Sequence, residues 1–197
     1  MKKLLFLSIT LAALTAQAQS VDRNDVVISA SPGVTINIWE NNAAANYHLS
    51  EELGLRAPIT VEYVFARYFG ISGDFVYTRL VSLNTLYPSN FRVLDFGVSL
   101  QLHSPSADRL IHWTGAIGFH YSRFHYFHKR GIEHETYDAG GTALYYAIGA
   151  NTYFSSGGKL GIGLLLNGSS YNYPITHYTN NYGGDSEFKM NGMALSL

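Results

Sequence analysis

The sequence predicts an all-β protein: an eight-stranded antiparallel up-and-down transmembrane β-barrel that follows a cleavable signal peptide. Three observations lead to this prediction. Segments of about ten residues, long enough to cross a bilayer at a tilt, alternate bulky apolar side chains with small or polar ones. The bulky face of these segments carries almost no charge, as a surface in contact with lipid requires. The chain also opens on a stretch typical of export signals.

Residues 1–18 have the order of a secretory signal peptide. Two lysines precede an apolar run from Leu4 to Leu14, which is too short to cross a bilayer as a helix. Ala16–Ala18 then places small residues before the expected cleavage site. We therefore expect residues 1–18 to be removed and residues 19–197 to form one outer-membrane β-barrel domain.

The composition narrows the class of protein. The chain contains no cysteine, so an exported form would be stabilised without disulfides. A net charge of −1 gives no basic surface for nucleic acid. Charged residues make up 14% of the chain, against about 25% in an average soluble domain. With fifteen tyrosines and nineteen glycines, this balance favours an exported barrel over a periplasmic enzyme, and no pattern indicates a cofactor.

The first half of the chain contains four predicted strands. Alternation over Val26–Ile38 predicts the first, with Pro32 marking a bend or bulge inside it. Residues 39–56 break the alternation and form a long connection, and residues 82–90 form a second one. The other three strands are predicted at Ile59–Ala66, Ile71–Leu80 and Arg92–Leu102.

Four more strands are predicted in the second half. Leu110–Tyr121 alternates, and Thr142–Gly168 reads as a hairpin around a Ser-Ser-Gly-Gly turn. Phe188–Leu197 closes the chain. Two further long connections are predicted at Phe124–Gly141 and Ser170–Glu187. Because long connections alternate with short turns, the long ones would share one rim of the barrel and both termini would lie at the other.

The two strand faces distinguish a membrane barrel from a soluble one. A soluble lipocalin-like barrel turns its apolar face inward and its charges outward. Here the isolated acids Glu62, Asp74 and Asp95 share a face with small residues, and the bulky face opposite is nearly uncharged. A lipid-facing Arg or Lys at the centre of a bilayer costs ~2–4 kcal/mol. The faces therefore favour the membrane barrel, and a soluble periplasmic carrier is kept as an alternative.

The signal sequence, the hairpin LYYAIGANTYFSSGGKLGIGLLL and the closing strand MALSL resemble the small bacterial outer-membrane β-barrels of the broad OmpA/OmpX-like class. The resemblance implies a non-enzymatic protein of the outer membrane with periplasmic termini and an envelope-structural or surface-binding role. Its partners would be outer-membrane lipid and the barrel assembly machinery, and we expect a monomer. Barrels of this class commonly end in an aromatic residue, whereas this chain ends in Leu197.

Polar residues on the small-residue face are predicted to point into the lumen: Glu62, Asp74, Asp95, Gln101, His112, His120 and Asn151. Side chains just fill the interior of an eight-stranded barrel, and buried charges need partners. We therefore expect a hydrogen-bonded, ion-paired network, with a narrow proton or ion path as the alternative. His112 and His120 are the residues predicted to neutralise the acids.

Histidines concentrate around the third long connection: His120, His125, His128 and His134, together with Glu133 and Glu135. Imidazole and carboxylate groups are good ligands for Zn²⁺ or Cu²⁺. Their spacing here matches no compact metal motif, so we predict no metal site.

His120-Tyr121-Ser122 with the downstream Glu133 and Glu135 resembles the His-x-Ser and Glu pattern of outer-membrane lipid A deacylases. That resemblance implies an alternative function, a lipid-modifying hydrolase in which these residues are catalytic. The pattern departs at Arg123, where the family has Asn. Alternation also turns His120 and Ser122 to the lumen, whereas a deacylase must present them to lipid.

The fourth long connection is rich in tyrosine and asparagine, and its tyrosines are Tyr171, Tyr173, Tyr178 and Tyr182. Tyrosine combined with Ser, Gly and Asn is the composition of adaptable binding loops. The sequence therefore predicts a surface contact with an extracellular glycan or protein. The alternative is a hydrated loop whose aromatic side chains lie at the membrane interface.

Overall fold

The computed structural model describes residues 24–41, 52–80, 89–104, 111–130, 132–153, 161–181 and 185–197. The predicted signal peptide and Tyr182 lie outside these residues. Within them, no helix is long and apolar enough to cross a membrane. The strands are β1 (Val26–Ala30), β2 (Gly33–Asn41), β3 (Glu52–Ala66), β4 (Phe69–Leu80), β5 (Ser89–His103), β6 (His112–Arg130), β7 (Glu133–Tyr153), β8 (Gly161–Asn180) and β9 (Asp185–Ser196).

These strands close into a ring of eight, because β1 and β2 are two halves of one strand. Both halves pair with β3, and the interruption falls at Ser31–Pro32, where proline cannot donate a ladder hydrogen bond. β2 also pairs with β9, and every later strand pairs antiparallel with its neighbour in sequence. The predicted eight-stranded antiparallel up-and-down barrel is therefore confirmed, including the interruption at Pro32.

A belt of bulky apolar side chains covers the outside of the ring. It extends from Ile111, the residue before β6, to Tyr121 on β6. At about 3.3 Å per residue and a tilt of about 40°, this stretch is about 25 Å tall, the height of the apolar band of membrane barrels. Its members are openly exposed, with Phe119 at 74%, Leu164 at 72% and Val98 at 59%. The orientation predicted for the bulky face is therefore the one observed.

The two ends of the barrel differ in their connections, and we name them the turn end and the hairpin end. The turn end carries the two-residue β3–β4 turn, Arg67–Tyr68, and β1 begins beside it, since Val26 pairs with Tyr63. The hairpin end carries the β6–β7 tip at Ile132, which is 87% exposed. The inside of the ring is polar towards the turn end and aromatic towards the hairpin end.

The predicted connections at Phe124–Gly141 and Ser170–Glu187 are wrong. The ladder of β6 and β7 continues as far as the pair Arg130 and Glu133, and β8 and β9 together cover most of the second segment. The reason is a reversal of polarity: beyond the belt these strands turn polar residues outward and aromatic residues inward, as strands do in water. The alternation continues beyond the belt. There the outer face is polar and the inner face is apolar, which is the opposite of the arrangement within the belt.

Candidate functional site: a polar lumen under an aromatic cluster

A carboxylate and two imidazoles form a chain inside the turn end. Nε2 of His103 lies 2.6 Å from Oε1 of Glu62, and Nε2 of His112 lies 3.3 Å from Nδ1 of His103. All three side chains are buried, with exposed fractions of 8% or less. Tyr153 closes this chain with an edge contact, its ring centroid 5.9 Å from that of His112. Strands β3, β5 and β6 thus bring an acid and its partners together across the lumen, although β4 lies between β3 and β5.

A second acid, Asp74 on β4, is held halfway along the lumen. Its carboxylate accepts hydrogen bonds from the hydroxyls of Ser72, 2.9 Å away, and Ser99. Nε2 of His120 lies 3.2 Å from the same carboxylate. The ring of His120 crosses over Gly97, where a Cβ atom would come within 2.2 Å of it, so the approach depends on a residue without a side chain.

Arg56 is the only fully buried arginine or lysine side chain among the residues whose burial the structure describes. Its guanidinium donates from Nε to Asn167 (2.9 Å), from Nη1 to the hydroxyl of Tyr171 (2.8 Å) and from Nη2 to Ser169 (2.5 Å). Asp95 is its counter-ion, with an Nη2–Oδ2 distance of 3.8 Å. Tyr171 connects the two by donating to Asp95 at 3.0 Å. The buried charges are therefore paired and hydrogen-bonded, as burial requires.

Aromatic side chains fill the lumen between this polar centre and the hairpin end. Phe91 and Phe124 meet edge to face with ring centroids 4.9 Å apart, and Tyr137 and Tyr178 lie 4.8 Å apart. Tyr173, which is 0% exposed, contacts Phe124 at 5.7 Å. Together with Val93, Met190 and several alanines, these residues form the buried core of the barrel. This aromatic cluster separates the polar lumen from the hairpin end.

The placement of Tyr171, Tyr173 and Tyr178 in a surface loop is wrong. All three belong to β8, and their exposed fractions are 2%, 0% and 7%. They point inward because the ladder continues through this segment, with a bulge after Tyr173 that brings Thr176 and Tyr178 back to the inner face. Their side chains therefore pack and form hydrogen bonds inside the barrel instead of contacting a ligand at the surface. Tyr182 lies outside the described residues.

The structure places all seven predicted lumen residues on the inner face. Glu62, Asp74, Asp95, His112 and His120 are buried, and Gln101 and Asn151 are partly buried. Gln101 donates to Ser72 at 2.8 Å, and Asn151 donates to Thr114 at 3.4 Å. Of the two histidines predicted to neutralise the acids, His120 contacts Asp74, whereas His112 contacts another histidine.

Sequence reasoning missed two basic members of the lumen, Arg56 and His103. Arg56 had been assigned to a connection, although it has the same parity as Glu62 and lies on the inner face once β3 is extended back to Glu52. His103 lies one residue beyond the predicted strand Arg92–Leu102, although it continues the inner face of β5 after Gln101. Extending the alternation by two or three residues at each strand end would have found both.

The hydrolase pattern is not assembled as a catalytic site. Ser122 donates to Asp95 at 2.5 Å and hydrogen-bonds the hydroxyl of Tyr173 at 2.8 Å, while His120 contacts Asp74. A nucleophilic serine needs its base within hydrogen-bond reach, and no such contact joins Ser122 to His120 in the part of the chain described. Both side chains are 2% exposed or less and face the lumen rather than lipid.

The remaining residues of the histidine-rich segment are dispersed. Glu135 accepts from Tyr178 at 3.4 Å, and His125 lies 2.7 Å from Asp138 on the outer face. The side chains of His128 and Glu133 lie outside the description. Among the described residues, no three His, Cys, Asp or Glu side chains come close enough to hold a metal ion.

Comparison with known proteins adds a structural likeness of low identity. No family model and no curated protein matches the sequence. Neisserial surface protein A (NspA) is similar to the chain with a TM-score of 0.48 and 9% identity, over 87% of this chain and 95% of that one. OprG, an outer membrane protein from Pseudomonas aeruginosa, gives 0.46 and 13% over 91% and 95%. Ail, the attachment invasion locus protein of Yersinia pestis, gives 0.43 and 13% over 89% and 97%. The assignment of the fold therefore depends on the closed ring itself.

Proposed function

We propose that this chain is a non-enzymatic integral protein of the bacterial outer membrane, and that its closed barrel anchors a rigid β-structure at the cell surface. The observation that carries the proposal is the distribution of polarity across the barrel wall. Phe119, Leu164 and Val98 are exposed on the outside, while Arg56 and Asp95 are 1% and 0% exposed inside. Such an arrangement is favourable when the outside is hydrocarbon.

The same observation weighs against a soluble periplasmic carrier. A soluble monomer rarely exposes a continuous apolar patch larger than a few hundred Å², whereas the belt surrounds the barrel. A carrier of this shape would also need an apolar cavity open to its ligand, as lipocalins have. The inside of this barrel instead holds ion pairs, hydrogen bonds and a packed aromatic cluster.

The packed lumen favours an anchoring role over a conducting one. An interior of eight strands is filled by side chains, and here the aromatic cluster lies above the buried Arg56–Asp95 pair. Water-filled conduction would require displacing Tyr173 and Phe124, both 2% exposed or less. We therefore propose that the barrel is closed to ions and small solutes.

We further propose that the hairpin end faces the outside of the cell and that the turn end, with the termini, faces the periplasm. Hydrogen bonds at the hairpin end hold neighbouring strands together. Asn181 donates to the carbonyl of Ile132 at 2.8 Å and accepts from the backbone of His134 at 3.4 Å, so the β6–β7 tip is joined to β8. A fixed surface of this kind loses little conformational entropy on contact with an extracellular glycan or protein.

Refolding into phosphatidylcholine vesicles tests the proposal. We expect the unboiled protein to migrate differently from the boiled protein on a denaturing gel, to remain in membranes through carbonate extraction, and to give no stepwise current in planar bilayers. Recovery in the soluble periplasmic fraction without a heat-dependent shift would contradict membrane insertion. Regular single-channel steps would contradict the closed lumen while leaving the insertion intact.

A further inference from the structure

Three arginines cluster on the outer wall, just beyond the apolar belt. Arg79 on β4 pairs directly with Arg92 on β5. Arg123 on β6 pairs with Leu94, two residues from Arg92, so the two arginines are diagonal neighbours. Like charges directly opposite each other destabilise a sheet, and diagonal neighbours lie within reach of long side chains. Three cations on adjacent strands therefore repel one another unless something neutralises them.

No acid of the described chain neutralises these arginines. Arg79, Arg92 and Arg123 are exposed, and none of them has a hydrogen bond or ion pair to any described residue. The nearest acid on the same wall, Asp138, is 2.7 Å from Nδ1 of His125. The next, Glu187, lies 3.0 Å from His177. The acids of this row are already occupied by histidines, which leaves the arginine side with a net positive charge.

A cavity of about 440 Å³ opens beside two of the arginines. Its wall includes Arg92, Arg123, Tyr121 and Gly140, together with the paired His125 and Asp138. Gly140 faces outward and has no side chain, so the space between Arg123 and β8 stays empty. The hydroxyl of Tyr121 stands 2.7 Å from the point where a Cβ atom of Gly140 would be. The cavity thus combines two guanidinium groups and a hydroxyl donor with one carboxylate, Asp138, which His125 already contacts.

The level of the cavity along the wall limits what can occupy it. Tyr121 is the last aromatic residue of the belt on β6, and Arg123 follows on the same face. If the belt is in hydrocarbon, as the proposed function holds, the guanidinium groups stand at the level of the lipid headgroups. We infer that this cavity binds the phosphate group of an outer-leaflet lipid, with Arg92 and Arg123 as its donors. This inference rests on the proposed membrane insertion and on the proposed orientation, with the hairpin end outside the cell.

The chemistry favours a phosphate. Arginine presents parallel N–H donors whose geometry matches two oxygens of one phosphate, and two such groups converge on one cavity. A lipid supplies the anion at high local concentration next to the wall, because its acyl chains lie along the belt. Its binding would neutralise the repulsion between Arg92 and Arg123, and the barrel would be more stable in a phosphate-bearing membrane.

Lipid A, with its phosphates or after enzymatic dephosphorylation, is the probe. The folded protein is first confirmed by its heat-dependent gel shift in phosphatidylcholine vesicles, and retained lipid A is then measured by native mass spectrometry and by titration. We expect the wild type to retain phosphorylated lipid A and to lose at least tenfold in affinity for the dephosphorylated form. Arg92→Gln/Arg123→Gln is expected to abolish the difference between the two lipids.

Two variants separate charge from position. Arg67→Gln removes an arginine at the turn end, where its guanidinium lies 5.4 Å from the ring of Tyr68, and should bind phosphorylated lipid A as the wild type does. Gly140→Leu fills the cavity without changing the charge and should weaken binding. Equal binding of both lipids by the wild type, or unchanged binding by Arg92→Gln/Arg123→Gln, would overturn the inference.

A further arm identifies the source of the phosphate. Inorganic phosphate at millimolar concentration should displace little lipid; if it binds as tightly as the lipid does, the free anion is the ligand and the lipid assignment is overturned. A wild type that fails to insert into vesicles would refute the proposed function itself, together with the membrane setting of this site. Insertion without phosphate-dependent binding would refute only the inference.

Discussion

Replacing Arg56 by methionine tests whether the polar centre of the lumen holds the barrel together. The change removes four hydrogen-bond contacts, to Asn167, Thr78, Tyr171 and Ser169, together with the ion pair to Asp95. Methionine fills most of the space but offers no donor. Because removing one partner of a buried pair leaves the other charge uncompensated, we expect a loss of about 3–5 kcal/mol in the free energy of unfolding.

A double-mutant cycle distinguishes lost charge pairing from lost packing. Asp95→Asn keeps the size of the side chain and removes the charge that Arg56 neutralises. Ser122 and Tyr171 donate to different oxygens of Asp95, so the single amide oxygen of asparagine replaces only one of these two acceptors. If the uncompensated charge is the main cost, Arg56→Met/Asp95→Asn should be less destabilised than the sum of the two single variants, by about 1–3 kcal/mol.

The measurement is urea-induced unfolding from lipid vesicles, followed by tryptophan fluorescence, since Trp113 is 52% exposed on the belt and leaves lipid on unfolding. Arg67→Met is the matched control: it removes an exposed arginine at the turn end and should cost about 1 kcal/mol or less. Two results would refute the view that the buried pair governs stability. One is a free energy of unfolding for Arg56→Met within about 1 kcal/mol of the wild-type value. The other is a double variant whose loss of stability equals the sum of the losses of the two single variants.

Two further predictions use paired substitutions and the same unfolding assay. Gly97→Ala should cost about 2–3 kcal/mol, because its Cβ would lie 2.2 Å from the His120 ring and 2.3 Å from a backbone oxygen, whereas Gly73→Ala meets nothing within 4 Å and should be tolerated. Similar stabilities for the two would contradict the close approach of His120. Ile117→Arg, near the middle of the belt, should cost ~2–4 kcal/mol in a bilayer. Ile132→Arg, at a tip that is 87% exposed, should cost almost nothing, and equal costs would argue against the belt lying in lipid.

The strand pattern of the belt was predictable because it is local. Each segment of the belt shows the alternation within its own residues. The number of strands, their order and the face that points outward could therefore be predicted without knowledge of the pairing. Even the break at Pro32 was visible, since proline disrupts a ladder wherever it stands. The ends of strands were predicted less well, and residues such as Arg56 and His103 were lost to the neighbouring connections for that reason.

Two features were beyond this kind of reasoning. Three hydrogen-bond partners of Arg56 come from β8, at sequence separations of 111 to 115 residues. The periodicity of one strand does not indicate which distant residue its side chain will meet. The extended hairpin was missed for another reason. Its segments alternate, but with histidine and aspartate outside and tyrosine inside, and a polar outer face was interpreted as a loop because the lipid-facing rule was applied to the whole chain.

Under the proposed membrane insertion, the residues at which the outer face changes from apolar to polar mark the boundary of the membrane along the barrel. On β6 the outer face passes from Tyr121 to Arg123, and over the same residues the inner face passes from His120 and Ser122 to Phe124. In that setting the outside below the boundary would be in lipid, so the inside can hold the polar groups. Above it the outside is in water, so this part of the barrel needs an apolar core of its own, as any soluble domain does. The aromatic cluster is that core, and its position above the Arg56–Asp95 pair closes the lumen as a consequence of folding in two solvents.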